Sequence, residues 1–197
     1  MSSALPAAQP EVRPATDFPT ETISPGKKTV ILGLGNTLLG DEGVGVHAVR
    51  YFQAMLPGQA DTEFIDGGTL SFTLVEAIEA AEKLIVIDAA ELRCAPGTVR
   101  LFQGEEMDRF VGTSKKSSVH EVSLADLLVI SHLTGHLPEY RALIGIQPGT
   151  MDWSETLTEP VDKAIRSAYE LISELLLDWR TARGRDRAPA GSKCVSS

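Results

Sequence analysis

The segment Gly33-Leu34-Gly35-Asn36-Thr37-Leu38-Leu39-Gly40-Asp41-Glu42-Gly43-Val44-Gly45 constrains the fold more than any other part of the chain. It directly follows Thr29-Val30-Ile31-Leu32, a continuous apolar run of the kind that forms a strand covered on both faces. It leads into Val44, Ala48, Val49, Phe52 and Met55, which recur at helical spacing until Pro57-Gly58 stops the pattern. Strand, glycine-rich turn and helix in that order open a parallel α/β unit and leave the Glu42 carboxylate at the mouth of the helix.

The alternation continues. Thr62-Glu63-Phe64-Ile65 reads as a second strand ended by Asp66-Gly67-Gly68, and Phe72, Val75, Ala77 and Ile78 suggest a second helix. Leu84-Ile85-Val86-Ile87 gives a third strand that ends at Asp88, so the strands are expected to run parallel, joined by right-handed crossovers. Thr98–Phe102 follows after the short Glu91–Gly97 link, which leaves no room for a crossover helix and predicts an antiparallel edge strand. Glu105–Val119 is polar and reads as a mobile loop. A helix is expected to begin near His120 or Glu121 and to run through Leu124, Leu127 and Leu128, followed by a last strand at Ala142–Ile146. Val161, Ile165, Ala168, Ile172, Leu175 and Trp179 line one stripe of a final helix, with Pro160 in its first turn. The fold class is α/β, with a mostly parallel sheet of five strands of which one is antiparallel.

The 197 residues suffice for one well-buried core. Residues 1–26, rich in Pro, Ala, Ser and Thr, read as a flexible leader, 27–179 as the catalytic domain and 180–197 as a disordered basic tail. The net charge of −9 is uneven: the leader carries −2 (Arg13 against Glu11, Asp17 and Glu21) and the tail +4 (five cations against Asp186), leaving −11 between them. So acidic a body argues against a binder of nucleic-acid phosphates and favours a cation, a basic peptide or a neutral surface. Cys94 and Cys194 make neither a disulfide framework nor a zinc pattern, which fits a reducing compartment. With no basic-then-apolar start and no run of about 18 apolar residues, a cytoplasmic protein without membrane contact is expected.

In a doubly wound sheet, loops at the carboxyl ends of the strands form the ligand crevice. Glu42, Asp66 and Asp88 fall at such ends, and His120 closes the long polar loop. Glu42, Asp88 and His120 make an O,O,N donor set suited to a borderline divalent ion such as nickel or zinc, with positions open to water or substrate. Each residue also has a structural reading: Glu42 complementing a helix dipole, Asp66 making a turn, Asp88 capping, His120 at a helix start. The joint placement is what favours a site. His47, His132, His136 and Cys94 read as solvated or packed, and Gln147-Pro148 as the end of the last strand. Familiar templates fail. Leu38 stands where a dinucleotide fingerprint needs its third glycine, Leu124 stands where a zincin helix needs its second histidine, and no P-loop or Gly-x-Ser-x-Gly elbow occurs.

The Gly33–Gly45 segment, Asp66-Gly67-Gly68-Thr69, Ile87-Asp88-Ala89 and His120-Glu121-Val122-Ser123 resemble the motifs of the hydrogenase maturation endopeptidases, over about Lys27 to Trp179. Proteins of that family trim the C-terminus of the large subunit of nickel-iron hydrogenases. The resemblance implies a three-layer α/β/α sandwich and a metal position at Glu42, Asp88 and His120. It also implies that the nickel arrives in the substrate rather than as a resident cofactor, although other divalent ions can occupy such a site. Asp66 matches a further acidic residue of the motif set and is the expected catalytic proton carrier, and the Glu105–Ser118 loop is a candidate lid. The expected activity is a nickel-dependent or aspartic-type endopeptidase, a monomer acting on a large-subunit precursor. Two other readings are a peptidyl-tRNA hydrolase, whose opening is similar to Gly33-Leu34-Gly35-Asn36, and a non-catalytic nickel-sensing chaperone.

Overall fold

The computed structural model describes residues 28–55, 61–113, 122–182 and 194–195. Six strands form one sheet in the order β2 (Thr62–Gly68), β1 (Lys28–Leu34), β3 (Ala81–Ala89), β5 (Tyr140–Ile146), β4 (Val99–Gln103), β6 (Cys194–Val195). The first four run parallel, and β4 pairs antiparallel with β5. The expected five-stranded mixed sheet is therefore present. The tail expected to lie outside the fold adds the two-residue β6, antiparallel to β4, and the final helix runs past Trp179 to Ala182.

The apolar strand runs are explained by burial on both faces. Ile31, Ile85, Ile87 and Ile144 pack toward α1 (Val44–Met55) and α5 (Glu159–Ala182), together with Phe52, Val161, Ile172 and Trp179. Their neighbours Val30, Leu32, Leu84, Val86 and Leu143 point the other way, as the period-two geometry of a strand requires. They meet α2 (Leu74–Ala80), α3 (Glu105–Thr113) and α4 (Leu124–Leu133) through Ile78, Met107 and Leu127. The result is the three-layer α/β/α sandwich.

Two expectations need correction. Glu105–Thr113, read as loop, is helix α3. Met107 and Val111 are buried, Phe110 stacks on Phe102 at a ring-centroid separation of 4.0 Å, and Asp108 takes a forked ion pair from Arg141 of β5. A buried face carried by so few apolar residues in an acidic segment is hard to see in sequence but enough to dock one short helix. The first half of the candidate lid is thus packed structure, while Lys115, Lys116 and the rest of that loop lie outside the described residues. Helix α4 begins at Leu124 rather than near His120. Ser123 caps it reciprocally with Asp126, its hydroxyl accepting from the Asp126 N–H while the Asp126 carboxylate accepts from the Ser123 N–H at 2.9 Å.

Strand β1 has β2 on one side and β3 on the other, so the chain winds in opposite directions from it. The crevice of a doubly wound sheet opens at such a point, between the carboxyl ends of β1 and β3.

Candidate active site

The glycine-rich segment brings four pieces of backbone together at that point. Gly33 at the end of β1 faces the Gly45 carbonyl and Val49 of α1, and Gly45 in turn faces the Ile87 carbonyl of β3 and the backbone of Leu34. A methyl group at either position would collide with main chain, which cannot give way. Helix α1 therefore starts against the ends of both central strands. Gly35, at φ 121°, turns the chain back so closely that a side chain there would meet the Glu42 carbonyl. The segment between, Gly40–Gly43, is a single 3₁₀ turn carrying Asp41 and Glu42.

The two acids of this turn have separate surroundings. Asp41 is fully buried, and its carboxylate accepts from the Thr158 N–H (2.7 Å), the Thr158 hydroxyl (2.8 Å), the Gly149 N–H (2.8 Å) and the Thr150 N–H (3.1 Å). Burial alone would raise its pKa, and these four donors outweigh it and hold the carboxyl below its ordinary value. Asp41 thus ties the turn to the 149–158 loop that precedes α5. It passed unnoticed in the sequence because its partners lie more than a hundred residues away.

Glu42 acts electrostatically on Asp88. One oxygen of its carboxylate is buried, and the group is near enough that its negative charge helps raise the pKa of Asp88. Although part of Asp88 reaches solvent, its carboxyl lies deep among protein atoms. Desolvation is the largest cause of its shift. The Ala89 N–H works against it and Glu42 with it, and the net effect pushes the pKa up to about 7. A buried carboxyl whose ionisation is disfavoured by burial and by a neighbouring acid, at a sheet switch point, is an arrangement that a cation would compensate. His120, the third member of the expected set, lies outside the described residues. Among the described residues no group of three acidic, histidine or cysteine side chains is arranged to hold a metal.

Asp66 sits apart from this pair. Its carboxylate accepts from the Arg50 guanidinium at 2.8 Å and from the Gly68 N–H at 3.1 Å, and it lines an open hollow of about 390 Å³ with Asn36, Thr37, Val46, Arg50 and Thr69. Glu42 and Asp88 do not line the hollow, but the Gly35–Thr37 turn that leads to Glu42 forms part of its wall. A second hollow of about 360 Å³ lies by Ala81 and Tyr140 at the amino ends of β3 and β5, and holds none of the expected residues. The lesser candidates stay structural or solvated. His132 and His136 are exposed, and Cys94 is an exposed free thiol. Gln147 is buried and accepts from the Leu92 N–H at 2.7 Å, pinning the link after β3. No described helix is long and apolar enough to cross a membrane.

Comparison with known proteins agrees with this layout. The family model described as HycI, hydrogenase maturation protease, matches residues 46–175. The hydrogenase expression/formation protein HupD of Bradyrhizobium diazoefficiens is 36% identical over 169 residues, 85% of this chain and 88% of that protein. HoxM of Cupriavidus necator is 33% identical over 170 residues, covering 84% of each chain. Among solved structures, the hydrogenase maturating endopeptidase HybD from Escherichia coli superimposes with a TM-score of 0.68 at 30% identity, covering 86% of this chain and 97% of that one. In sequence and in fold, then, the chain belongs to the hydrogenase maturation protease family.

Proposed function

We propose that this peptidase removes the C-terminal extension of a nickel-iron hydrogenase large-subunit precursor after nickel has been inserted, and that Glu42, Asp88 and His120 read the metal. The observation that carries this reading is the Glu42–Asp88 pair. A buried carboxyl held near pKa 7 beside a second acid is a poor structural device, since it stabilises nothing by itself, and it is a good receptor for a cation delivered by a substrate. Glu42 and Asp88 would supply oxygen donors and His120 an imidazole nitrogen, leaving coordination positions to the precursor's own ligands. Nickel in the substrate supplies Lewis acidity toward the scissile carbonyl. Binding energy then depends on whether the metal is present, which makes proteolysis conditional on assembly.

The chain's own residues account for the rest. The hollow beside Asp66 accepts an extended peptide, and its Gly35–Thr37 wall leads the peptide toward Glu42. Asp66, oriented by Arg50 and the Gly68 N–H, is the proton carrier of this reading. The acidic body speaks against the peptidyl-tRNA alternative. The test is mass spectrometry of purified precursor, with and without nickel, mixed with the chain. Loss of the extension only from nickel-loaded precursor supports the proposal, and an intact precursor in both samples removes it.

A further inference from the structure

Next to the crevice the molecule presents three large apolar side chains to solvent. Trp153 is 79% exposed, Met151 51% and Leu38 41%. They belong to two loops locked to each other: the Ser154 N–H donates to the Leu38 carbonyl at 2.9 Å, the Gly40 N–H donates to the Ser154 carbonyl at 2.7 Å, and Leu39 and Ser154 form a parallel β-bridge. The Asp41 carboxylate fastens the same two loops from beneath through Gly149, Thr150 and Thr158. Beyond the bridge, Thr150 and Asp152 bond to each other through their side chains, as do Ser154 and Thr156. Much polar scaffolding is thus spent on holding a tryptophan in water.

We infer that Leu38, Met151 and Trp153 form the docking surface for the folded body of the protein substrate, an inference that rests on the processing function proposed above. Position supports it. The turn that bears Leu38 also supplies Asn36 and Thr37 to the wall of the hollow beside Asp66 and carries on into Glu42 of the acid pair, so one short segment bears the patch and borders the site. A substrate whose tail enters the crevice must rest its body on the adjoining surface. Preorganisation supports it too, because the loop backbone that carries these side chains is already fixed and need not be ordered on binding, and tryptophan is enriched among the residues that dominate interfaces. Charge defines the partner's chemistry. Between Pro148 and Pro160 the chain carries Asp152, Glu155 and Glu159 and no lysine or arginine. The surface that fits is an apolar patch rimmed by basic residues.

The test uses the full chain and nickel-loaded precursor, with Trp153→Ser, Met151→Ser and the conservative Trp153→Phe. For both serine variants KM for the precursor is expected to rise about 10-fold or more with kcat within about twofold of wild type, and Trp153→Phe should recover most of the loss. Thermal unfolding should not change, since the side chains are exposed. Because Trp179 is buried, the acrylamide quenching that Trp153→Phe loses relative to wild type reports on Trp153, and precursor should reduce that difference. An unchanged KM with wild-type cleavage intact overturns the docking surface and leaves the processing function standing. If wild type binds precursor without cutting it, the processing function falls, and the docking surface is decided by whether Trp153→Ser weakens that binding. Self-association of the free protein that Trp153→Ser abolishes would assign the face to a second copy and overturn the inference.

Discussion

In the neighbouring pair Asp41 and Glu42, the first carboxylate accepts from four donors of the 149–158 loop, whereas the charge of the second acts on Asp88. Asp41→Ala leaves the buried N–H groups of that loop without their acceptor, so it should cost about 3 kcal/mol or more in urea-unfolding experiments. Asp66→Asn, which loosens only an exposed ion pair, should cost under about 1 kcal/mol. Sequence reading singled out Glu42 and passed over Asp41, because two adjacent acids in one motif look alike until their distant partners are known. His47 gives a second residue-scale prediction. Its Nε2 is buried with no hydrogen-bond partner among the described residues, and burial, then the Arg50 charge, lower its pKa from 6.5 against the opposing pull of Asp162 and Asp66. The unfolded chain therefore takes up a proton as pH falls through 6.5 before the folded chain does. The His47 contribution to stability therefore falls as the medium becomes more acid, while Asp88, whose carboxyl is pushed up to about 7 by burial, takes up its proton in the folded chain first and contributes with the opposite sign over the same range. His47→Gln removes the His47 part alone, so acidification should lower the melting temperature less, or raise it more, in the variant than in wild type, and identical pH profiles would show that His47 does not contribute there.

At the scale of elements, strands β1, β3 and β5 and helices α1 and α5 were legible because each buries a regular apolar pattern. Helix α3 was not, since Glu105, Glu106 and Asp108 dominate its composition and its buried face is only Met107, Phe110 and Val111. What makes it a helix is tertiary: Phe102 beneath it and Arg141 beside it. Phe110→Ala should remove the ring stack and part of the buried area, costing about 2 kcal/mol in equilibrium unfolding and raising amide exchange across Glu105–Thr113. A loss below about 0.5 kcal/mol would mean that the helix is held by something other than this contact. The start of α4 was misplaced for a local reason, since the Ser123–Asp126 capping box was overlooked in favour of the histidine upstream.

For the molecule as a whole, the alternation of strands and helices pointed to a doubly wound sheet, but strand order is a property of the assembled layers and is not written in any one segment. That order places β1 between β2 and β3, and so puts the loop bearing Glu42 beside the end of the strand bearing Asp88, 46 positions later in the chain. Three candidate residues could be named from sequence because the motif resemblance and the strand-end rule agree on them. Their separation into an acid pair by Asp88 and a separate Asp66–Arg50 hollow became visible only in the fold. The most direct test of the account compares mass-spectrometric processing of nickel-loaded and nickel-free precursor by wild type, Glu42→Gln, Asp88→Asn and His120→Ala. The account predicts that wild type releases the extension from the nickel-loaded form alone and that the three folded variants leave it uncut. Equal cleavage with and without nickel, or full processing by the variants, would contradict it.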